Sequence, residues 1–163
     1  VGEKSRGTAA IILSKPLPRW AFLLSKFIAQ AIVYFAALLL GTLGAYYYTL
    51  ILFEPLQFGP FLFGGLLLWQ WGLVFTAVTL LGSTLGKSTG GAAGLALLGA
   101  VLLLFLGGIP QVAQFFPSAL VGWAGQLGLP ESVPFNGAAV AANGVLILVF
   151  LITAVAFFER QEI

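Results

Sequence analysis

Residues 21–53 read AFLLSKFIAQAIVYFAALLLGTLGAYYYTLILF, a 33-residue run whose only charge is Lys26. About 20 apolar residues suffice to cross a bilayer as a helix. At 1.5 Å of rise per residue this run is about 50 Å long, so it must tilt, project into water or lie partly in the interface. Its reading decides the fold, because the rest of the chain repeats its character. Three more apolar stretches follow, at about 61–85, 90–106 and 137–158. Across all 163 residues, 60% are hydrophobic and 7% charged, where a soluble domain carries about 25% charged residues. A soluble fold of this length has too little interior for so much apolar surface. The expectation is an all-α integral membrane protein with four transmembrane helices.

The composition excludes several chemistries. The chain has no Cys, no His and no Asp, and its five acids are all Glu. Disulfides, thiolate or imidazole metal sites and the usual catalytic triads therefore have no residues to build them. No Glu lies deep in an apolar run, which argues against a buried proton relay. An intramembrane enzyme is the weakest of the functional readings. The basic residues do not form the polar, basic face of a nucleic-acid binder.

Charge also sets the topology. Lys4, Arg6, Lys15, Arg19 and Lys26 precede or enter the first span. The 54–60 link has no Lys or Arg, the next link has Lys87, the long 107–136 segment has none, and the tail has Arg160. Positive residues thus fall on alternate sides, as the positive-inside rule requires. Both ends of the chain are expected in the cytoplasm of a cell whose inner (plasma) membrane holds the spans, with 54–60 and 107–136 outside. Trp20 at the inner end, and Tyr46, Tyr47, Tyr48 and Phe53 at the outer end, suit aromatic belts. Trp69 and Trp71 lie deeper and suit packing. Pro18 suits the first turn of the long helix.

The 107–136 segment contains GGIPQVAQFFPSALVGWAGQLGLPESVPF. It is apolar but broken by Pro110, Pro117, Pro130 and Pro134, so it is not one straight span. Two short helices, near 111–116 and 118–128, fit it. It reads as a re-entrant helical hairpin on the outer side; an ordinary loop lying flat on the membrane is the alternative.

Small residues recur every fourth position at Ala37, Gly41 and Ala45, and at Ala92, Ala96 and Ala100 beside Gly90 and Gly94. The last span opens NGAAVAANG. Such faces allow close helix packing, either within the chain or against a second copy or homologue. Gly72, Thr76, Thr79 and Ser83 share a broad face, with Gln70 above them, Gln30 in the first span and Asn143 in the last. These uncharged groups either line a pathway or bond neighbouring helices, at around 0.6 kcal/mol each.

Two motifs are misleading. GSTLGKS at 82–88 resembles a phosphate-binding loop, but Leu81 stands where the first glycine belongs and no strand precedes it. The Ser14–Lys15 and Ser25–Lys26 pairs are adjacent residues that diverge by about 100° on a helix, which does not suit a catalytic dyad.

The opening GEKSRGTAAIILSKPLPRWAFLLSKF has its own pattern. A polar start leads into a short helix-competent stretch, about 8–14, then a break at KPLP and a basic entry into the span. Ala9, Ile12, Leu13 and Pro16 share a face that suits the membrane surface. By itself this is a juxtamembrane anchor. The pattern resembles the permeases of type-2 ABC exporters. In that family an acidic and basic patch leads into Gly-Thr, a short apolar helix, a Ser-x-Pro break, an Arg and a Lys-bearing span. The matching residues are Glu3, Arg6, Gly7, Thr8, Leu13, Ser14, Pro16, Arg19 and Lys26. The proline-broken outer segment, last span and short charged tail are also similar to the family's C-terminal two-thirds.

The resemblance implies a cytoplasmic coupling segment at 1–20. There Glu3, Arg6, Gly7, Thr8, Ile12, Leu13, Pro16 and Arg19 would engage an ABC ATPase subunit. ATP and Mg would belong to that partner, and this chain would need no cofactor or metal of its own. A second permease copy or homologue and the surrounding lipid would complete the assembly. The family has six spans, so two would precede Val1, and 1–163 would form one transmembrane domain of a longer protein. The second Glu common in the acidic patch is missing, since Lys4 follows Glu3 and Ser5 precedes Arg6. The competing reading is a non-transporting subunit that anchors or assembles a larger complex.

Overall fold

The computed structural model describes residues 18–53, 56–127 and 134–160. The described residues are helical and contain no strand. The order is α1 (Arg19–Leu52), α2 (Phe58–Leu85), α3 (Thr89–Gly107), a 3-10 turn (Ala113–Phe115), α4 (Pro117–Gln126) and α5 (Gly137–Glu159). Four of these helices, α1, α2, α3 and α5, are long and apolar enough to cross a membrane. They coincide with the four apolar stretches of the sequence. Large apolar side chains such as Ile32, Val33, Leu40, Leu97, Phe105 and Ile152 point outward, as lipid-facing surfaces require.

Local chemistry sets the helix ends. Pro18 precedes α1 in an extended conformation, and its carbonyl accepts from the Ala21 N–H at 3.0 Å. It therefore stands one residue before the first turn where it was expected. The Ser88 hydroxyl caps α3 by accepting from the Gly91 N–H at 3.1 Å, and Asn136 caps α5 through Ala139 at 3.2 Å. The serine of the phosphate-loop look-alike thus serves as a helix cap.

The central helix is α2, packed on α1, α3, α4 and α5. It runs antiparallel to α1. Trp69 donates to the Ala31 carbonyl at 3.0 Å and meets Phe35 edge-on at 5.4 Å. The Tyr46 hydroxyl donates to the Leu56 carbonyl at 3.0 Å, while its ring lies against Phe58 and Phe61. Tyr46 therefore joins helices, whereas Tyr47, Tyr48 and Phe53 are exposed in the manner of a belt.

Close backbone approach joins α2 to α3. A Cβ on Gly82 would lie 2.8 Å from the Ala96 nitrogen, and one on Gly86 would lie 2.5 Å from the Ala92 Cα. Ala92 and Ala96 are thus used for packing within the chain. Gly41, Gly44, Gly90 and Gly94 instead face open space.

With 19 residues, α3 is about 28 Å long, shorter than the 28-residue α2 beside it. The 3-10 turn and α4 pack beyond its end. The Ser118 hydroxyl donates to the Gly107 carbonyl at 3.1 Å. Leu120 and Trp123 are buried with Leu67 and Ala139. Phe116 packs against Val74, Val78 and Leu103. The sequence suggested two short helices here, but the first is only a single 3-10 turn. Pro110 and Pro117 leave six residues between them, too few to propagate an α-helix. Pro117 also holds Phe116 extended, at φ −105° and ψ 163°.

Candidate functional site

Basic residues gather at one end of the bundle. Arg19 begins α1, and its guanidinium donates to the Glu159 carbonyl at the end of α5 at 3.2 Å. Phe22 stacks on Phe158 at 6.0 Å, tying the same two helix ends together. Lys87 follows α2, Arg160 follows α5, and Lys26 lies two turns into α1. The Lys26 ammonium folds back over the Phe22 ring, 5.0 Å from its centre. That posture carries the charge toward the helix end while its alkyl stem crosses apolar surface.

Just inside this end, α1 and α2 separate to form a lateral cleft of about 580 Å³. On α1 it is lined by Lys26, Gln30 and Tyr34, spaced by four; on α2 it is lined by Gly72, Thr76, Thr79 and Ser83, with Trp71 and Phe75 alongside. The cleft exists because the polar side chains on this part of α2 are short. Thr76 and Thr79 donate their hydroxyls back to the Gly72 and Phe75 carbonyls, at 2.9 and 2.8 Å. Their oxygens remain available as acceptors. Gly72 admits the Tyr34 ring, which would collide with any Cβ there. Among the described residues, the lining has one cation and no carboxylate.

Four of the six residues expected to line a pathway, Gln30, Thr76, Thr79 and Ser83, converge on this cleft. The other two do not. Gln70 donates to the Val140 carbonyl at 2.7 Å and links α2 to α5. Asn143 is fully buried and donates to the Ala139 and Phe116 carbonyls, at 2.9 and 3.4 Å. Its amide oxygen and the Trp123 indole N–H are buried without hydrogen-bond partners among the described residues. Glu3, Arg6, Gly7, Thr8, Ile12, Leu13 and Pro16 lie outside the described residues. Arg19 is the described member of that set.

Sequence reasoning found Gln30 on the α1 wall but missed Lys26 and Tyr34 beside it, and missed the aromatic end of the cleft. The signal was present: Lys26, Gln30 and Tyr34 fall on one helical face. Their common face was obscured because Tyr34 reads as one more apolar residue. A second hollow, of about 610 Å³, lies at the opposite end beside α4, lined by residues including Gln114, Ser118, Trp123 and Asn136, with no charged side chain among the described residues.

Four apolar helices around a packed centre, with their cations at one end and a polar lateral cleft, define a multi-pass α-helical membrane protein. The profile of the ABC-2 family transporter proteins matches residues 1–130. The chain belongs to that family. It is also similar to the uncharacterized transmembrane protein YxlG of Bacillus subtilis (strain 168), at 27% identity over 162 residues. That match covers 98% of this chain and 63% of the relative, so the chain spans less than two-thirds of that relative's length. No solved structure matches.

Proposed function

We propose that the chain is the membrane-spanning permease part of an ATP-driven ABC exporter, forming one transmembrane domain. A separate ABC ATPase subunit would bind ATP and Mg and grip residues 1–20 through Glu3, Arg6, Gly7, Thr8, Ile12, Leu13, Pro16 and Arg19. A second permease copy or homologue would complete the translocation unit. Closure of the ATPases would move α1 as a rigid body relative to its neighbours and alter the α1–α2 cleft. The positive-inside rule puts the basic end of the bundle, and both ends of this chain, in the cytoplasm of a cell with the spans in its inner (plasma) membrane.

One observation carries the reading. The polar cleft opens beside the same end from which Arg19 leads back into the segment with the permease-like pattern. Coupling then needs only a short lever, because α1 contains both the grip's last residue and one wall of the cleft. The packing of Phe116 against the cluster of Val74, Val78 and Leu103 supports a re-entrant role for the 107–136 segment. Val74 lies about 24 Å of helix beyond Phe58, well inside the span of α2.

The test is co-purification of the full-length protein with an ABC ATPase encoded beside it, followed by transport in vesicles. Gly7→Glu with Thr8→Glu is expected to abolish docking and coupled transport. Retention of both would overturn the coupling role. The open small-residue face at Gly41 and Gly44 also suits a subunit that only assembles a larger complex. ATPase binding without transport of any cargo would favour that reading.

A further inference from the structure

We infer, resting on the reading of α1 as the moving element, that the contact between the start of α1 and the end of α5 is a latch. Engaged, as in this structure, it holds the α1–α2 cleft open. Released, it lets α1 swing onto α2 and close the cleft.

The geometry is a wedge. At its basic end α1 is fastened to α5. The Arg19 guanidinium donates to the Glu159 carbonyl at 3.2 Å, and Phe22 stacks on Phe158 at 6.0 Å with 13° between the rings. Farther along, α1 is fastened to α2. Trp69 donates to the Ala31 carbonyl and meets Phe35 edge-on, while Tyr34 lies against Gly72 and Thr42 against Gly65. The cleft opens between these two attachments, with Lys26, Phe27, Gln30 and Tyr34 on its α1 side. The attachment to α5 therefore sets how far the start of α1 stands from α2.

The two walls suit each other. Gly72, Thr76, Thr79 and Ser83 on α2 are small enough to let a second helix approach closely. Thr76 and Thr79 already donate to the Gly72 and Phe75 carbonyls, so their oxygens can only accept. The exposed Gln30 across the cleft carries an amide N–H₂ that can donate. Phe27 and Leu80 give the same two walls apolar surface to bury. A closed position of α1 thus has contacts of its own, and the latch competes with them.

The latch is small and well placed. About 18 Å of helix separates Arg19 from the attachment at Ala31, so a tilt of about 15° there moves Arg19 by about 5 Å. One hydrogen bond and one ring pair oppose that swing, a balance that permits both positions to be populated. The Lys26 ammonium lies over the Phe22 ring, 5.0 Å from its centre, so one residue borders both the latch and the cleft. A pull on residues 1–20 enters α1 through Arg19 and acts on the latch first.

The test reads the cleft without the ATPase. Full-length protein with no other cysteine carries spin labels at Ser25→Cys and Leu85→Cys, exposed positions on α1 and α2 outside the cleft lining. It is diluted with unlabelled protein in lipid nanodiscs, and the distance within one chain is measured by double electron–electron resonance. The longer, latched distance should dominate. Phe22→Ala should raise the short-distance population about fivefold relative to the long one, the scale of one aromatic pair. Phe158→Ala should do the same, and the double variant no more than either, because both remove one contact. Arg19→Gln is milder, should shift the balance the same way, and stands in for an alanine variant that fails to fold. Phe22→Tyr keeps the stack and should keep the parent distribution. So should Phe157→Ala, on the exposed side of the same turn of α5.

An unchanged distribution in folded Phe22→Ala, Phe158→Ala or Arg19→Gln protein would overturn the latch. A broad shift to longer distances would overturn it too, since the contact would then only hold the bundle together. Equal shifts from Phe157→Ala and Phe158→Ala would do the same. Gly7→Glu with Thr8→Glu should leave the distances unchanged, so failure of ATPase docking and failure of the latch give different results.

Discussion

Gly72 is where one missing atom shapes the candidate site. The Tyr34 ring occupies the space a side chain would take, so a single methyl group must push a whole aromatic side chain aside. Gly72→Ala is expected to lower stability in detergent by about 1–3 kcal/mol through this overpacking. Adding Tyr34→Ala should recover part of the loss, giving a coupling of at least about 0.5 kcal/mol in a double-mutant cycle read by reversible unfolding. Strict additivity would mean that the two residues do not touch. Asn143 presents the opposite problem, a polar group enclosed on all sides. Its amide makes two donor contacts while its oxygen has no partner among the described residues. Asn143→Leu loses the bonds but also the stranded acceptor, and should cost less than about 1 kcal/mol. Asn143→Asp puts a charge there and should cost about 3 kcal/mol. Similar losses from both changes, measured by the same unfolding assay, would show that burial of this position does not govern its tolerance.

At the scale of elements, the long helices were legible because a 20-residue apolar run has few other structures available to it in lipid. Which surfaces of those helices meet was not legible. Small residues at four-residue spacing announce that a close approach is possible, yet Ala92 and Ala96 meet α2 while Gly41, Gly90 and Gly94 meet nothing. The reason is that spacing fixes a shared face, not the partner it faces. Gly82→Val is therefore expected to destabilise the protein by about 1–3 kcal/mol, because the new side chain must displace backbone of α3. Gly94→Val should change stability by less than about 0.5 kcal/mol beyond its helix propensity, since it points into open space. The pair can be compared by thermal unfolding in one detergent; a larger loss at Gly94 would place the working helix contact on the other face of α3. The proline-broken segment was legible only as irregular. Its prolines forbade a straight helix, but the burial of Leu120 and Trp123 against Leu67 depends on α3 being too short to cover that part of α2.

The whole molecule joins two patterns that the sequence displays separately: alternating charge along the chain, and polar residues scattered over three helices. Folding gathers four of those polar residues into one cleft and assigns Gln70 and Asn143 to helix contacts. Sequence could not separate the two groups, because a Gln or Asn that lines a route and one that bonds a backbone carbonyl occupy similar apolar surroundings. The charge pattern carries further. Arg19 and the carbonyl of Glu159 meet at 3.2 Å although 140 positions separate them, so the start of α1 and the end of α5 must share one membrane face. Lys87 belongs to that face too, because α2 runs antiparallel to α1. This arrangement predicts labelling directly, and the chain contains no Cys to interfere. Single cysteines at Lys87 and Arg160 should react with a membrane-impermeant maleimide only in inside-out vesicles. A cysteine at Gly59, exposed at the start of α2 with no neighbour within 4 Å, should react only in intact cells. Labelling of all three from outside the cell would reject the multi-pass arrangement. Reversal of both sides together would keep the fold, invert the protein in its membrane, and put residues 1–20 out of reach of the cytoplasmic ATPase proposed above.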